Sequence, residues 1–120
     1  MKGIGRNPKL FMQDILKCIK RIEEYTKDMS FEDFQNDLKT KDAVIKNLIE
    51  IGEAVSHITS EYKGKCQHIP WKKIKDFRNF LVHEYFNVDD EIIWEVVKNE
   101  LSKLRSCIDR LLQEITGLDR

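Results

Sequence analysis

Residues 70–86 read Pro70-Trp71-Lys72-Lys73-Ile74-Lys75-Asp76-Phe77-Arg78-Asn79-Phe80-Leu81-Val82-His83-Glu84-Tyr85-Phe86. Trp71, Ile74, Phe77, Leu81 and Tyr85 recur at spacings of about three and four, which predicts a helix from Pro70 with one apolar face. Phe80, Val82 and Phe86 fall off that face. A helix on the outside of a small bundle needs one buried stripe, so this one carries surplus apolar surface. Either it is central to a bundle, or its second face meets another copy of the chain. Dimerisation is the preferred explanation, and a light-scattering mass of one chain at micromolar concentration would refute it.

The flanks supply the rest of the bundle. Asn7-Pro8 reads as an N-cap followed by proline in the first turn. Phe11, Ile15, Cys18, Ile22, Tyr25 and Met29 then mark a helix to about Lys27. Ser30-Phe31-Glu32-Asp33 resembles a capping box with Asp in place of Glu, and a break follows near Asn36-Asp37. Val44, Leu48, Ile51, Val55, Ile58 and Tyr62 predict a long helix from about Leu38 to Tyr62, stopped by Gly64. Gly52 and Ala54 beside its stripe would let another helix approach closely. Asn87-Val88-Asp89 makes a turn and an N-cap. Ile93, Val97, Leu101, Leu104, Ile108, Leu111 and Ile115 form the final stripe, ending at Gly117. The expectation is an all-α fold, one domain over residues 1–120, an antiparallel bundle of four main helices that pairs as a homodimer.

Composition agrees with that class. The 120 residues are 41% hydrophobic and 35% charged, with five glycines and two prolines, so turns are few and elements long. No run of about 18 apolar residues occurs and the N-terminus has no apolar core, which points to a cytoplasmic protein with no membrane span. The zero net charge conceals an asymmetry. Lys63–Arg78 holds six basic residues against Asp76, whereas Asp89–Glu100 holds five acids against Lys98. A basic block leading into polar side chains suits a polyanion, although a solvated face would look the same. Cys18, Cys66 and Cys107 have no paired spacing. Cys18 and Cys107 lie on apolar stripes as small hydrophobes, and Cys66-Gln67-His68 lacks the further ligands that a metal site needs.

Arg78, Asn79, His83 and Tyr85 put a guanidinium, a carboxamide, an imidazole and a phenol within one short segment. On a helix, Arg78 and Tyr85 share a face within roughly 20°, Asn79 and His83 share another, and Arg78 and His83 lie about 140° apart. Bringing Arg78 and His83 onto one phosphate requires the helix to unwind near His83, or a two-fold axis to bring in a second copy. An imidazole that titrates near neutrality can take a proton from a ribose 2′-hydroxyl or give one to a leaving oxygen. A guanidinium holds phosphate through paired hydrogen bonds. Asn79 could orient a phosphate oxygen or the imidazole. The segment has no acid pair suited to a catalytic metal and calls for no cofactor, so metal-free RNA cleavage is the natural chemistry. Plainer roles are open for each residue: His83 as a cap, Arg78 as a bridge to Glu84 or to an acid on the last helix, Tyr85 as packing, Trp71 and Trp94 as core.

Arg78-Asn79-Phe80-Leu81-Val82-His83-Glu84-Tyr85 resembles Arg-x4-His-x-Tyr, the motif of HEPN-domain ribonucleases of the HepT toxin family. Lys41–Ala54, Ile69-Pro70-Trp71 and Phe86–Glu95 are similar to that family as well, so the resemblance runs from about Pro8 to Ile115. It implies an all-helical homodimer in which the motifs of both protomers line a shared cleft. It also implies a toxin of a type VII toxin–antitoxin system that cleaves RNA without metal. Arg78 and His83 would be catalytic and Asn79 a supporting neighbour. Tyr85 would accept AMP from a partner nucleotidyltransferase antitoxin of the MntA type. Nucleotide phosphates on Tyr85 would then occupy the place of RNA phosphate beside Arg78. The alternative within the resemblance is a non-catalytic HEPN module that binds nucleotide and assists a partner nucleotidyltransferase.

Overall fold

Asn7 opens the first helix as the sequence predicts, its side chain accepting from Lys9 N–H with Pro8 in the first turn. The computed structural model describes residues 7–118, and the first residues of the chain lie outside them. Helix α1 spans Pro8–Tyr25, α2 Phe31–Gln35, α3 Leu38–Val55, α4 Ser60–Lys63 and α5 Trp71–His83. A 3₁₀ turn at Tyr85–Asn87 leads to α6, Asp90–Glu95, which runs through a π turn at Val96–Glu100 into α7, Leu101–Leu118. The fold is all-α, and no strand occurs among the described residues. α3 packs against both α1 and α5, and α7 closes on α1. Ile15, Ile19, Ile22, Val44, Val55, Leu81, Ile93, Ile108 and Leu111 are almost wholly buried where these helices meet. Among the described residues no helix is long and apolar enough to cross a membrane.

The helix ends differ from the periodicity in ways that local hydrogen bonds explain. α1 stops at Tyr25, which is exposed, whereas Thr26 is buried and its hydroxyl donates to Ile22 O at 2.9 Å. Asp28 then takes a left-handed φ of 62°, a conformation that a short polar side chain tolerates. The capping box forms: Asp33 N–H donates to Ser30 Oγ and Ser30 N–H to Asp33 Oδ2, each at 3.0 Å. Asp37 caps α3 by accepting from Thr40 N–H at 3.0 Å and the Thr40 hydroxyl at 2.8 Å.

The helix expected to reach Tyr62 ends instead at Val55. Ser56 Oγ donates to Glu53 O at 2.6 Å, and His57 and Ile58 N–H bond three residues back to Ala54 and Val55 at 3.0 Å. This local competition tightens the last turn and breaks the α pattern, yet Ile58 stays buried. The following loop brings Cys66 onto α7, where it is disulfide-bonded to Cys107. Cys107 is therefore not the free thiol that its stripe position suggested; the bend after Val55 makes the pairing, and spacing along the chain could not reveal it. Cys18 is free and buried, and that burial together with Glu50 raises its thiol pKa to about 11.

Both tryptophans are half-buried. Trp71 Nε1 donates to Lys63 O at 3.0 Å and Cys66 O at 3.1 Å, fastening the loop to the start of α5. Trp94 meets Phe34 at 5.1 Å between ring centroids, with Lys98 Nζ over its ring at 4.9 Å.

Candidate active site

Arg78 sits where α5 crosses α3, and Gly52 makes the crossing possible. A β-carbon at Gly52 would lie 2.5 Å from Arg78 Cβ and 2.6 Å from its Cγ, closer than packed atoms come. The arginine stem therefore runs directly over the α3 backbone, as the small residues beside the α3 stripe suggest. Its guanidinium is gripped at both ends: Nη2 donates to Glu53 Oε1 at 2.7 Å and Nη1 to Asn79 Oδ1 at 3.0 Å. Nε is sealed from solvent with no hydrogen-bond partner. The plainer role left open for Arg78, a bridge to Glu84 or the last helix, is not the pair found: its acid partner is on α3. Gly52→Ala is expected to force α5 away from α3 and cost about 1–3 kcal/mol, as overpacking does, read from urea midpoints. A wild-type midpoint would show that α5 can shift freely.

α5 ends at His83, so the expected continuation through Tyr85 is corrected. Asn87 N–H donates to Glu84 O at 2.8 Å, closing the 3₁₀ turn that carries Tyr85. The shared face of Arg78 and Tyr85 survives, because both reach α3: the Tyr85 hydroxyl donates to Asp42 Oδ1 in a short hydrogen bond. That bond holds the phenol proton and raises the Tyr85 pKa above its ordinary value. The contact is at full strength below about pH 10 and is lost as pH rises through the raised value.

His83 is exposed at the last position of α5. The backbone remains helical from Arg78 to His83, which sets the two side chains about 140° apart around the axis and about 7.5 Å apart along it. Within the chain, Arg78 is therefore joined to Asn79, and His83 is not brought to them. Around this end of α5, Phe80, Val82 and Ile92 are exposed, and Phe86 is 94% exposed. Beside α5 lies a cavity of about 590 Å³ whose lining includes Ile51, Ile74, Phe77, Arg78, Ile92 and Leu104. Among the described residues no three His, Cys, Asp or Glu side chains converge as metal ligands.

Two site neighbours escaped the sequence reading, Asp42 and Glu53. Their separation of eleven residues, about three helical turns, puts both carboxylates on one face of α3. That spacing was the available signal. It becomes meaningful only once α5 is known to lie across that face.

Residues 15–111 match the family model described as HepT-like, Ribonuclease HepT-like. The chain belongs to the HepT-like ribonuclease family. Curated relatives agree. "Putative RNase MJ0127" of Methanocaldococcus jannaschii is 37% identical over 95% of this chain and 94% of its own length. "Probable ribonuclease HepT" of Thermococcus cleftensis is 39% identical over 88% of this chain and 96% of its own length. "Gamma-glutamylcyclotransferase and putative RNase MJ0434", also of M. jannaschii, is 39% identical over 92% of this chain, which spans only 50% of that relative. No solved structure matches. Membership of the HepT-like ribonucleases makes RNA the substrate class to be explained.

Proposed function

We propose that the chain is a homodimeric, metal-independent endoribonuclease, the toxin of a HepT/MntA-like toxin–antitoxin pair, acting in the cytoplasm, with residues 1–120 forming one domain. The observation that carries this reading is the divergence of Arg78 and His83 on one straight helix whose end is flanked by exposed apolar side chains, in a chain of a ribonuclease family. A two-fold axis beside α5 would set Arg78 of one copy against His83 of the other and cover Phe80, Val82 and Phe86. The cleft would then hold a phosphodiester.

The chemistry needs only these side chains. Neutral His83 takes the 2′-hydroxyl proton, and the 2′-oxygen forms a bond to phosphorus as the bond to the 5′-oxygen breaks. A protonated imidazole returns a proton to that leaving oxygen. The products are a 2′,3′-cyclic phosphate and a 5′-hydroxyl. Arg78, kept in place by Asn79, offsets the negative charge that builds on the phosphoryl oxygens. Tyr85, beside the same helix end, is the acceptor for AMP from an MntA-like nucleotidyltransferase, and the added phosphates would block the cleft.

The test is cleavage of RNA by the wild type in EDTA, with DNA of the same sequence as control. RNA should be cut and DNA spared, since DNA lacks the 2′-hydroxyl. Incubation with an MntA-like transferase and ATP should add the mass of AMP at Tyr85 and stop cleavage. Nucleotide bound but no RNA cut in any condition would replace this reading with the non-catalytic module.

A further inference from the structure

We propose that Glu53 is a positioning residue for Arg78, an inference that rests on the nuclease reading and names a component of its site. The guanidinium has five N–H donors. Glu53 engages one on Nη2, Asn79 engages one on Nη1, and Nε–H is enclosed by protein. One N–H on each terminal nitrogen is left over, the pairing that a phosphate accepts in bidentate fashion. Without Glu53 the planar guanidinium would pivot about its bond to Asn79, turning the two remaining donors together away from the orientation in which Glu53 holds them.

Glu53 is itself held from behind. Its Oε2 lies 3.6 Å from His57 Nε2 on the next turn of the chain, and the His57 ring stacks on Phe11 of α1, with centroids 4.5 Å apart and planes within 12°. The order of support therefore runs α1, His57, Glu53, Arg78. Glu53 is 55% exposed, so the ion pair adds little to folding stability; what it contributes is direction. Gly52, the preceding residue, lets the arginine stem lie against α3 where this carboxylate can reach it.

The experiment compares Glu53→Ala and Glu53→Gln with the wild type in RNA cleavage, thermal melting and the NMR signal of the Arg78 Nε–H. Glu53→Ala should lose about 10- to 100-fold in kcat with a smaller change in KM, as misaligned catalytic groups do. Its melting temperature should stay close to wild type. Glu53→Gln keeps an acceptor oxygen for Nη2 and should recover most of the rate. The Arg78 Nε–H, protected from exchange in the wild type and in Glu53→Gln, should exchange rapidly in Glu53→Ala. Wild-type kcat or an unchanged Nε–H signal in Glu53→Ala overturns the proposal, as does a Gln variant as slow as Ala. A wild type inert toward every RNA, with the NMR behaviour as expected, upholds the positioning of Arg78 and overturns the nuclease reading instead.

Discussion

Co-expressing Arg78→Ala with His83→Ala is expected to restore about a quarter of wild-type RNA cleavage, although each variant alone should retain less than about a hundredth. The expectation follows from where α5 puts the two side chains. A site made from Arg78 of one protomer and His83 of its partner leaves a mixed dimer with one site carrying both substitutions and one carrying neither. Random pairing makes about half of the dimers mixed, and one intact site in each gives the quarter. A site built within one protomer would be broken in every dimer, and mixing would restore nothing. The residual activity of each single variant separately measures what each group contributes, about 100-fold or more for a proton-transferring imidazole. Recovery absent from a mixture shown by mass to contain mixed dimers would refute the shared cleft, and recovery well above a quarter would show that mixed dimers form in preference to like ones.

Reduction of the Cys66–Cys107 disulfide is expected to lower stability by about 4 kcal/mol, roughly 15 °C in melting temperature for a chain of this size. The bond spans 41 residues of sequence, so it removes considerable freedom from the unfolded chain. It also fixes the loop that delivers α5, because Trp71 hydrogen-bonds the carbonyl of Cys66 and Arg110 Nη2 reaches both Lys65 O, at 2.6 Å, and Cys66 Sγ, at 3.1 Å. The check is melting of the oxidised protein with and without dithiothreitol, alongside a Cys66→Ala/Cys107→Ala double variant that should be indifferent to the reductant. A wild type whose melting does not respond to dithiothreitol would show that the two sulfurs stay as thiols. In a reducing cytoplasm the thiol pair would be the resident form, and the stapled form would belong to oxidised preparations.

The fold was legible in the sequence because apolar spacing registers which face of a helix is buried. The stripes through Ile15 and Ile22, Val44 and Leu48, and Ile93 and Leu111 are all core. What spacing could not register was competition at helix ends. Ser56 and Thr26 each turn a hydroxyl onto a backbone carbonyl and end or redirect a helix whose apolar pattern runs on. The four motif residues could be read because unlike polar groups crowd one apolar helix. Glu53 and Asp42 could not, since an acid on an exposed helix face is ordinary until another helix brings a guanidinium and a phenol to it. The Cys66–Cys107 pair was hidden for the same reason: it exists only in three dimensions.

The π turn at Val96–Glu100 has a consequence for how this protein tolerates change. It accommodates an extra residue within a continuous helix, so that α6 lies on α2 while α7 lies on α1. Deleting a single amino acid there would give the backbone a more regular spiral and so favour the helix taken alone. It would also swing everything on one side of the deletion by about 100°, taking either Ile93 or Leu104 out of the interior. Length in this segment is thus guarded: a one-codon loss trades a better local helix for a broken interior.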